Sequence, residues 1–400
     1  MTPRSLPKVA LVHPYLWWGG SEACALWAVE ALKKDHDVTL ITGGGGRLEE
    51  KNSHYGTEIR RGEVTIVEVP FPRVFGKIGH FFALRDYRLA RYCRRNADRY
   101  DVMFSIYNPM DFGTRGIQYI LDPNFTSKWL KLCAGDPPGV KGAFYGDSLL
   151  RKLYLGLADR LSGRTAEGIR KNLTVADSDW TARATREVLG IAAATLYPPV
   201  PWDYPHQDWS GREDGFICLG RINFEKRLED IIAVLSTVRA KGRKIHLHVL
   251  GAVGDRKYLR NLGSVLDKNA DWVFLEGRVT NRRKAELLSS HKYGIHGRAN
   301  EPFGIAVAEM VKAGCVVWVP AGGGQTEIVG HEGLIYSGRD DAVAKIVQVI
   351  ENGQAQVDLR EHLGKRAEMF SVDRYMSEIR AVVSGFLGSR MPERDGSGED

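Results

Sequence analysis

Two glutamates eight residues apart, Glu301 and Glu309, bracket Pro302-Phe303-Gly304 where an apolar helical pattern begins. A carboxylate at a helix entrance lies beside backbone N–H groups that lack intrahelical partners and favour anions. That combination suits a ligand bearing both hydroxyls and phosphates, and a sugar nucleotide is such a ligand. If all the residues between them were helical, Glu309 would stand ~12 Å along the axis from Glu301. The two would then touch different parts of one long ligand. A carboxylate pair for glycoside hydrolysis needs about 5–9.5 Å and is not what this spacing describes.

Cations accompany the carboxylates. Gly220-Arg221 closes a buried strand, and Lys226-Arg227 follows in the loop before the next helix. Arg221 suits a forked clamp on a diphosphate, with Lys226 as a compact second charge. Taken alone they are ordinary surface charges; beside the Glu301 segment they read as phosphate ligands. Gly322-Gly323-Gly324, ahead of Gln325-Thr326-Glu327, lets backbone approach a ligand at the start of another helix. Gly19-Gly20 offers the same from the other half of the chain, and either is also compatible with a plain turn. Asp177-Ser178-Asp179 has the look of a metal-carrying triplet, but it ends a strand and precedes a helical pattern, so a capping turn is expected. No His/Cys spacing marks a metal site, and neither a nucleophile elbow nor a P-loop occurs.

The elements that must position these residues repeat one grammar. KVALVHP, a glycine turn, a helical pattern over 21–34 and DVTLITG make a parallel βαβ unit. VTIVEVP, DVMFSIY, GIQYIL and LTVADS continue it. A proline-rich stretch over 196–215 interrupts, and strand–helix alternation restarts with GFICLGR, KIHLHVLG, WVFLEGRV, KYGIHG and CVVWVP. The expected fold class is α/β: two doubly wound, Rossmann-like parallel-sheet domains facing a cleft. We place the first, acceptor-side domain at 1–200 and the donor-side domain at 201–370. A terminal helix at 371–390 is expected to return to the first domain, and 391–400 to be a disordered tail.

Composition narrows the class. The chain has 400 residues and a net charge of +7. It lacks the apolar core of a secretion signal and any run long enough to span a bilayer, so a cytoplasmic protein is expected. Five scattered cysteines argue against a disulfide framework. Residues 1–200 hold 28 Lys+Arg against 21 Asp+Glu, whereas 201–400 hold 28 of each. Much of that excess lies in 71–100, where eight basic residues meet only Asp86 and Asp98. Interleaved aromatics make this stretch either a solvated helix face or a docking face for an anionic membrane or phosphate-linked acceptor. No nucleic-acid-binding motif accompanies it.

These motifs together resemble the retaining glycosyltransferases of family 4, with the GT-B fold, over nearly the whole chain. Gly19-Gly20-Ser21-Glu22 is similar to the family's N-terminal glycine loop, GRINFEKR to its phosphate clamp, EPFGIAVAEMVKAG to its Glu-x7-Glu signature and AGGGQTEIV to its glycine turn. The resemblance implies that Arg221 and Lys226 hold the donor diphosphate and that Glu301 contacts the transferred sugar. It implies that amides near Phe303, Gly304 and Ile305, with Gly19, Gly20, Gly323 and Gly324, line the donor site. Glu309 would bind the ribose, and Gly277, Arg278 and Val279 would lie near the base. No metal or other cofactor is implied beyond the nucleotide-diphosphate sugar, GDP-mannose or a UDP-sugar. IHGRANEPFGIAVAEM, with His296, and YPPV resemble the α-1,2-mannosyltransferases that extend lipid-linked oligosaccharides, which points to mannose. Acceptor recognition would fall to Trp17, Trp18 and residues 71–130. The chain departs from the family where many members carry a histidine and it reads Leu121 or Asp122; His13 is a candidate replacement. That departure leaves open a catalytically inactive sugar-nucleotide-binding or scaffold protein, and a GT-B sugar-nucleotide epimerase.

Overall fold

Strand β1, Lys8–His13, is apolar on both faces and buried from Val9 onward, as a parallel strand covered by helices on either side must be. The computed structural model describes residues 5–70, 82–121, 153, 156–157 and 160–389. Arg73, Lys77, the side chain of Arg85, Asp122, Cys133 and the tail 391–400 lie outside them.

Six further strands flank β1: β2 (Asp37–Thr42), β3 (Thr65–Glu68), β4 (Val102–Tyr107), β5 (Ile117–Ile120), β6 (Leu173–Ala176) and β7 (Ala194–Thr195). Their order is β3-β2-β1-β4-β5-β6-β7, with parallel pairing throughout. The second sheet holds β8 (Glu213–Leu219), β9 (His246–Leu250), β10 (Val273–Gly277), β11 (His291–Ile295), β12 (Val316–Pro320) and β13 (Ile335–Tyr336). It is also parallel, in the order β10-β9-β8-β11-β12-β13. Each sheet therefore reverses direction beside its own first strand, between β1 and β4 and between β8 and β11. The crevice outside the carboxyl ends of strands at such a switch point is where open α/β sheets bind ligands. His13, Gly19, Gly220-Arg221 and His296 all sit at or just beyond those ends.

The expected two-sheet α/β architecture is what the chain adopts. The proline-rich connection is packed rather than free: Tyr197 and Val200 are buried, and Val200 N–H donates to Phe370 O at 2.9 Å. That bond sets the outgoing crossing beside the return crossing. The returning helix, Val372–Gly388, lies on the Gly20–Leu32 helix of the first domain, burying Tyr375, Ile379, Val383 and Phe386 there. The Tyr375 hydroxyl donates to Cys24 O at 2.8 Å.

The basic stretch contains the helix Phe82–Asn96, which turns Leu89, Ala90 and Cys93 inward. Arg88, Arg91 and Arg95 are exposed along its outer face. Arg94 is not part of that face, because it pairs at 2.6 Å with Asp111, which is buried.

If the returning helix is part of the first domain's core, Ile379→Ala should cost about 2–5 kcal/mol, and Tyr375→Phe about 1 kcal/mol. Urea unfolding followed by circular dichroism measures both. An Ile379→Ala midpoint unchanged from the parent would show that this helix does not support the domain.

Candidate functional site

The Glu301 carboxylate is the centre of the site. Lys226 Nζ donates to its Oε2 at 2.9 Å, His296 Nε2 lies 3.2 Å from the same oxygen, and Arg298 donates to Oε1 at 3.0 Å. Arg298 also stands 3.8 Å from Glu225. Burial alone would raise the Glu301 pKa, but Lys226 and Arg298 outweigh it and hold the carboxyl well below its ordinary range. Burial, followed by the Lys226 charge, lowers His296 to about 4. His296 is therefore neutral near pH 7, and as the donor to Glu301 it carries its proton on Nε2. Its Nδ1 is then a bare acceptor, buried and without a hydrogen-bond partner among the described residues.

The three partners arrive from two strand ends. Lys226 ends the short turn Phe224–Lys226 beyond β8 and folds back over Gly220, where a Cβ would lie 3.1 Å from Lys226 Cε. His296 and Arg298 follow β11. Arg298 was not anticipated from the sequence, although an arginine three residues before the glutamate was the available signal. Arg221, by contrast, is exposed, with its stem along Gly254. It forms no hydrogen bond or ion pair with any described residue, so its fork is available to an anion.

The helix Ile305–Lys312 starts later than a helix drawn from Glu301 would. Pro302 and Phe303 form a bend, and Gly304, at φ 105°, is its N-cap. The ~12 Å separation expected from continuous helix therefore does not apply. Glu309 is buried and takes a 2.9 Å hydrogen bond from Lys284, whose ammonium also sits 3.8 Å above the Trp202 ring. Burial raises its pKa despite Lys284. The Phe303 side chain is core, packed between Tyr197 and Phe370; only its backbone faces the site's turn.

The glycines have sharper roles than the sequence implied. A Cβ on Gly20 would lie 2.1 Å from Ile305 Cδ1, so the first turns of the Gly20 and Ile305 helices meet across the domain boundary. Their unpartnered amides bring two positive helix ends to one place. Gly19 lies against the Glu22 carboxylate and exchanges hydrogen bonds with the Tyr55 hydroxyl. Gly323 and Gly324, expected to line the donor site, also make room for backbone. A Cβ at 323 would stand 2.5 Å from Glu301 O, and one at 324 would stand 2.2 Å from Pro302 O. The glycine turn thus braces the Glu301 bend.

The domains are also joined through main chain. Ser178 caps the helix Asp179–Leu189, accepting from Thr181 N, and donates to Pro302 O. The Asp177-Ser178-Asp179 triplet is thus a capping turn. Glu327 accepts from the Asp179 and Trp180 amides at that helix start and from the Tyr197 hydroxyl. Trp18, expected on the acceptor side, has Lys51 3.4 Å from its ring and Arg278 of the second domain 5.5 Å from it. Trp17 is exposed and stacks on Tyr15. Gly277 has open space around it, and Val279 packs against the second core. His13 is buried edge-on to Tyr107, and neither ring nitrogen makes a hydrogen bond of ordinary geometry. Burial lowers its pKa, leaving it neutral near pH 7. Leu121, where the family histidine was sought, is buried.

The fold has counterparts among known proteins. Residues 206–370 match the family described as glycosyl transferases group 1. The "GDP-Man:Man(3)GlcNAc(2)-PP-Dol alpha-1,2-mannosyltransferase" of Dictyostelium discoideum is 22% identical over 255 residues, 58% of this chain and 50% of that protein. The chain matches about half the length of that relative. Anabaena HepE in complex with UDP-glucose superposes with a TM-score of 0.67 at 14% identity, over 95% of this chain and 100% of that one. The sucrose-phosphate synthase of Thermosynechococcus elongatus gives 0.66 at 12%, over 96% and 100%. WaaG, a glycosyltransferase involved in lipopolysaccharide biosynthesis, gives 0.65 at 13%, over 94% and 100%. The fold is GT-B, and the resemblance read from the motifs is borne out.

Gly323→Ala and Gly277→Ala separate steric bracing from backbone strain, since both glycines have positive φ. Gly277→Ala should cost about 1–2 kcal/mol from the left-handed backbone alone. Gly323→Ala adds a collision with fixed backbone and should cost clearly more. Equal losses in urea unfolding would show that the glycine turn does not brace Glu301.

Proposed function

We propose that this chain, whose residues 206–370 match the group 1 glycosyltransferases, moves a hexose from a nucleotide-diphosphate sugar to a glycan, glycolipid or natural-product acceptor. The observation that carries the reading is a largely buried, ionised Glu301 held by Lys226, Arg298 and His296, together with an exposed Arg221 whose guanidinium pairs with no described residue. Arg221, Lys226 and the first-turn amides of the Gly20 and Ile305 helices hold the diphosphate and stabilise its developing charge as it leaves. Glu301, kept ionised, accepts hydrogen bonds from the hexose hydroxyls. Glu309 serves the ribose end, with Lys284 as its counter-charge, while Arg278 and Trp18 flank the base. The transfer proceeds with retention, as in the resembled family, and His13 borders the sugar from the first domain.

Mannose from GDP-mannose is the first donor to test, on the wording of the Dictyostelium relative's name and the motif around His296; a UDP-sugar is the second, because HepE was solved with UDP-glucose. We assign the acceptor to the first domain. The exposed Arg88, Arg91 and Arg95 face suits a phosphate-linked lipid acceptor at an anionic membrane surface, peripheral to the cytoplasmic leaflet. Among the described residues no helix is long and apolar enough to cross a membrane.

Thermal-shift titration with GDP, UDP and their sugars identifies the donor, since a ligand that binds only the folded state raises the melting temperature. Glu301→Ala and Arg221→Ala should each abolish most nucleotide release while remaining folded. Undiminished turnover in either variant would refute the assignment. Tight donor binding by the parent chain, without release under any acceptor, would favour the inactive sugar-nucleotide-binding alternative.

A further inference from the structure

Three histidines from two strands converge at the amino-terminal end of the second sheet, opposite the end that carries Glu301. His246 and His248 lie on one face of β9, and His291 opens β11, two strands away. The intervening strand, β8, carries Gly215 at the crossing. A Cβ there would lie 2.3 Å from His246 Nε2 and 2.5 Å from His291 Cδ2, so the absent side chain is what lets the two rings meet. Their Nε2 atoms are 3.0 Å apart, and one ring nitrogen from each of the three histidines lies within 4.8 Å of the others.

The rings are oriented as ligands are. His291 Nδ1 lies 2.8 Å from Leu287 O, a contact only a protonated Nδ1 can make, which turns the Nε2 lone pair toward His246. His248 Nδ1 lies 2.7 Å from the Glu276 carboxylate, leaving its Nε2 to face away from it. A backbone carbonyl or carboxylate on the far nitrogen is the usual support of a metal-bound imidazole. Glu213 Oε2 lies 3.4 Å from His246 Nε2, an oxygen donor at the edge of the cluster. Glu213, His246, His248 and Glu276 border a hollow of about 490 Å³, through which an ion can enter.

We propose that His246, His248 and His291 form a binding site for a divalent transition-metal ion, with zinc(II) as the fitting chemistry and Glu213 completing four-coordination. Three imidazoles and a carboxylate suit that ion. Ligand nitrogens around tetrahedral zinc stand about 3.3 Å apart. The His246–His291 pair already meets this, and His248 closes by roughly 1.5 Å from the widest separation. The ion would tie β9 to β11 across β8, stapling the sheet at the end remote from the cleft. Sequence spacing shows only half of this site: His246-Leu247-His248 puts two imidazoles on one face of a strand, but 45 residues separate His246 from His291.

The test uses the full chain, free of any affinity tag and stripped with EDTA that is then removed. Titrated cobalt(II) should saturate a single site, give the intense visible absorption of a four-coordinate ion and be displaced by zinc(II). Zinc(II) should also raise the melting temperature. His248→Gln, at the partly exposed ligand, should weaken binding at least tenfold while melting near the parent's metal-free temperature. Glu276→Gln should weaken it about tenfold through the orientation of His248. Absence of saturable cobalt binding, or identical binding by the His246→Gln/His248→Gln double variant, would overturn the proposal.

Discussion

One buried carboxylate sets the terms for this protein. Glu301 has lost most of its water, and an ionised group in that position survives only if its lost hydration is replaced by fixed charges and donors. Lys226, Arg298 and His296 provide that replacement from two strand ends, and the Gly323-Gly324 turn holds the backbone against which the glutamate sits. Removing any one of these leaves a buried charge without its counterpart. The arrangement holds a charged group already oriented and largely out of water, where an electrostatic contact counts for more than at the surface.

The same logic explains why the domains meet as they do. Gly20 has no side chain because Ile305 occupies the space, and the two helix starts are thereby brought close. Ser178 joins the domains at Pro302 O, immediately after Glu301, and Glu327 joins them at the Asp179 and Trp180 amides. The domain contact and the carboxylate cluster are thus one construction. Under the proposed function, an incoming diphosphate would find Arg221 free and Lys226 shared with Glu301, so donor binding redistributes charge already present.

Much of this was legible in the residues. Apolar runs of strand length, punctuated by glycine turns and helical periods, give both parallel sheets and their order of elements. Glu301, Arg221 and Lys226 were recognisable because they sit at strand ends and helix entrances, where local pattern and chemistry coincide. Contacts made by chain folding were not legible. Arg298 reads as an ordinary surface arginine until the bend at Pro302 puts it on Glu301. Gly323 and Gly324 read as ligand-facing, and only the fold shows that their missing side chains also make room for the Glu301–Pro302 backbone. That Arg278 stands 5.5 Å from the Trp18 ring also emerges only from the fold. The three-histidine cluster depends on a single glycine in the strand between, which no spacing rule detects.

Under the proposed function, the region where the Gly20 and Ile305 helices start receives a nucleotide's diphosphate, with Arg221 and Lys226 as its cations. Crystals of the full chain grown with saturating GDP or UDP test it directly. The account predicts diphosphate density within hydrogen-bond reach of Arg221 and the first-turn amides at Ile305. A well-defined nucleotide whose phosphates lie away from both would contradict it.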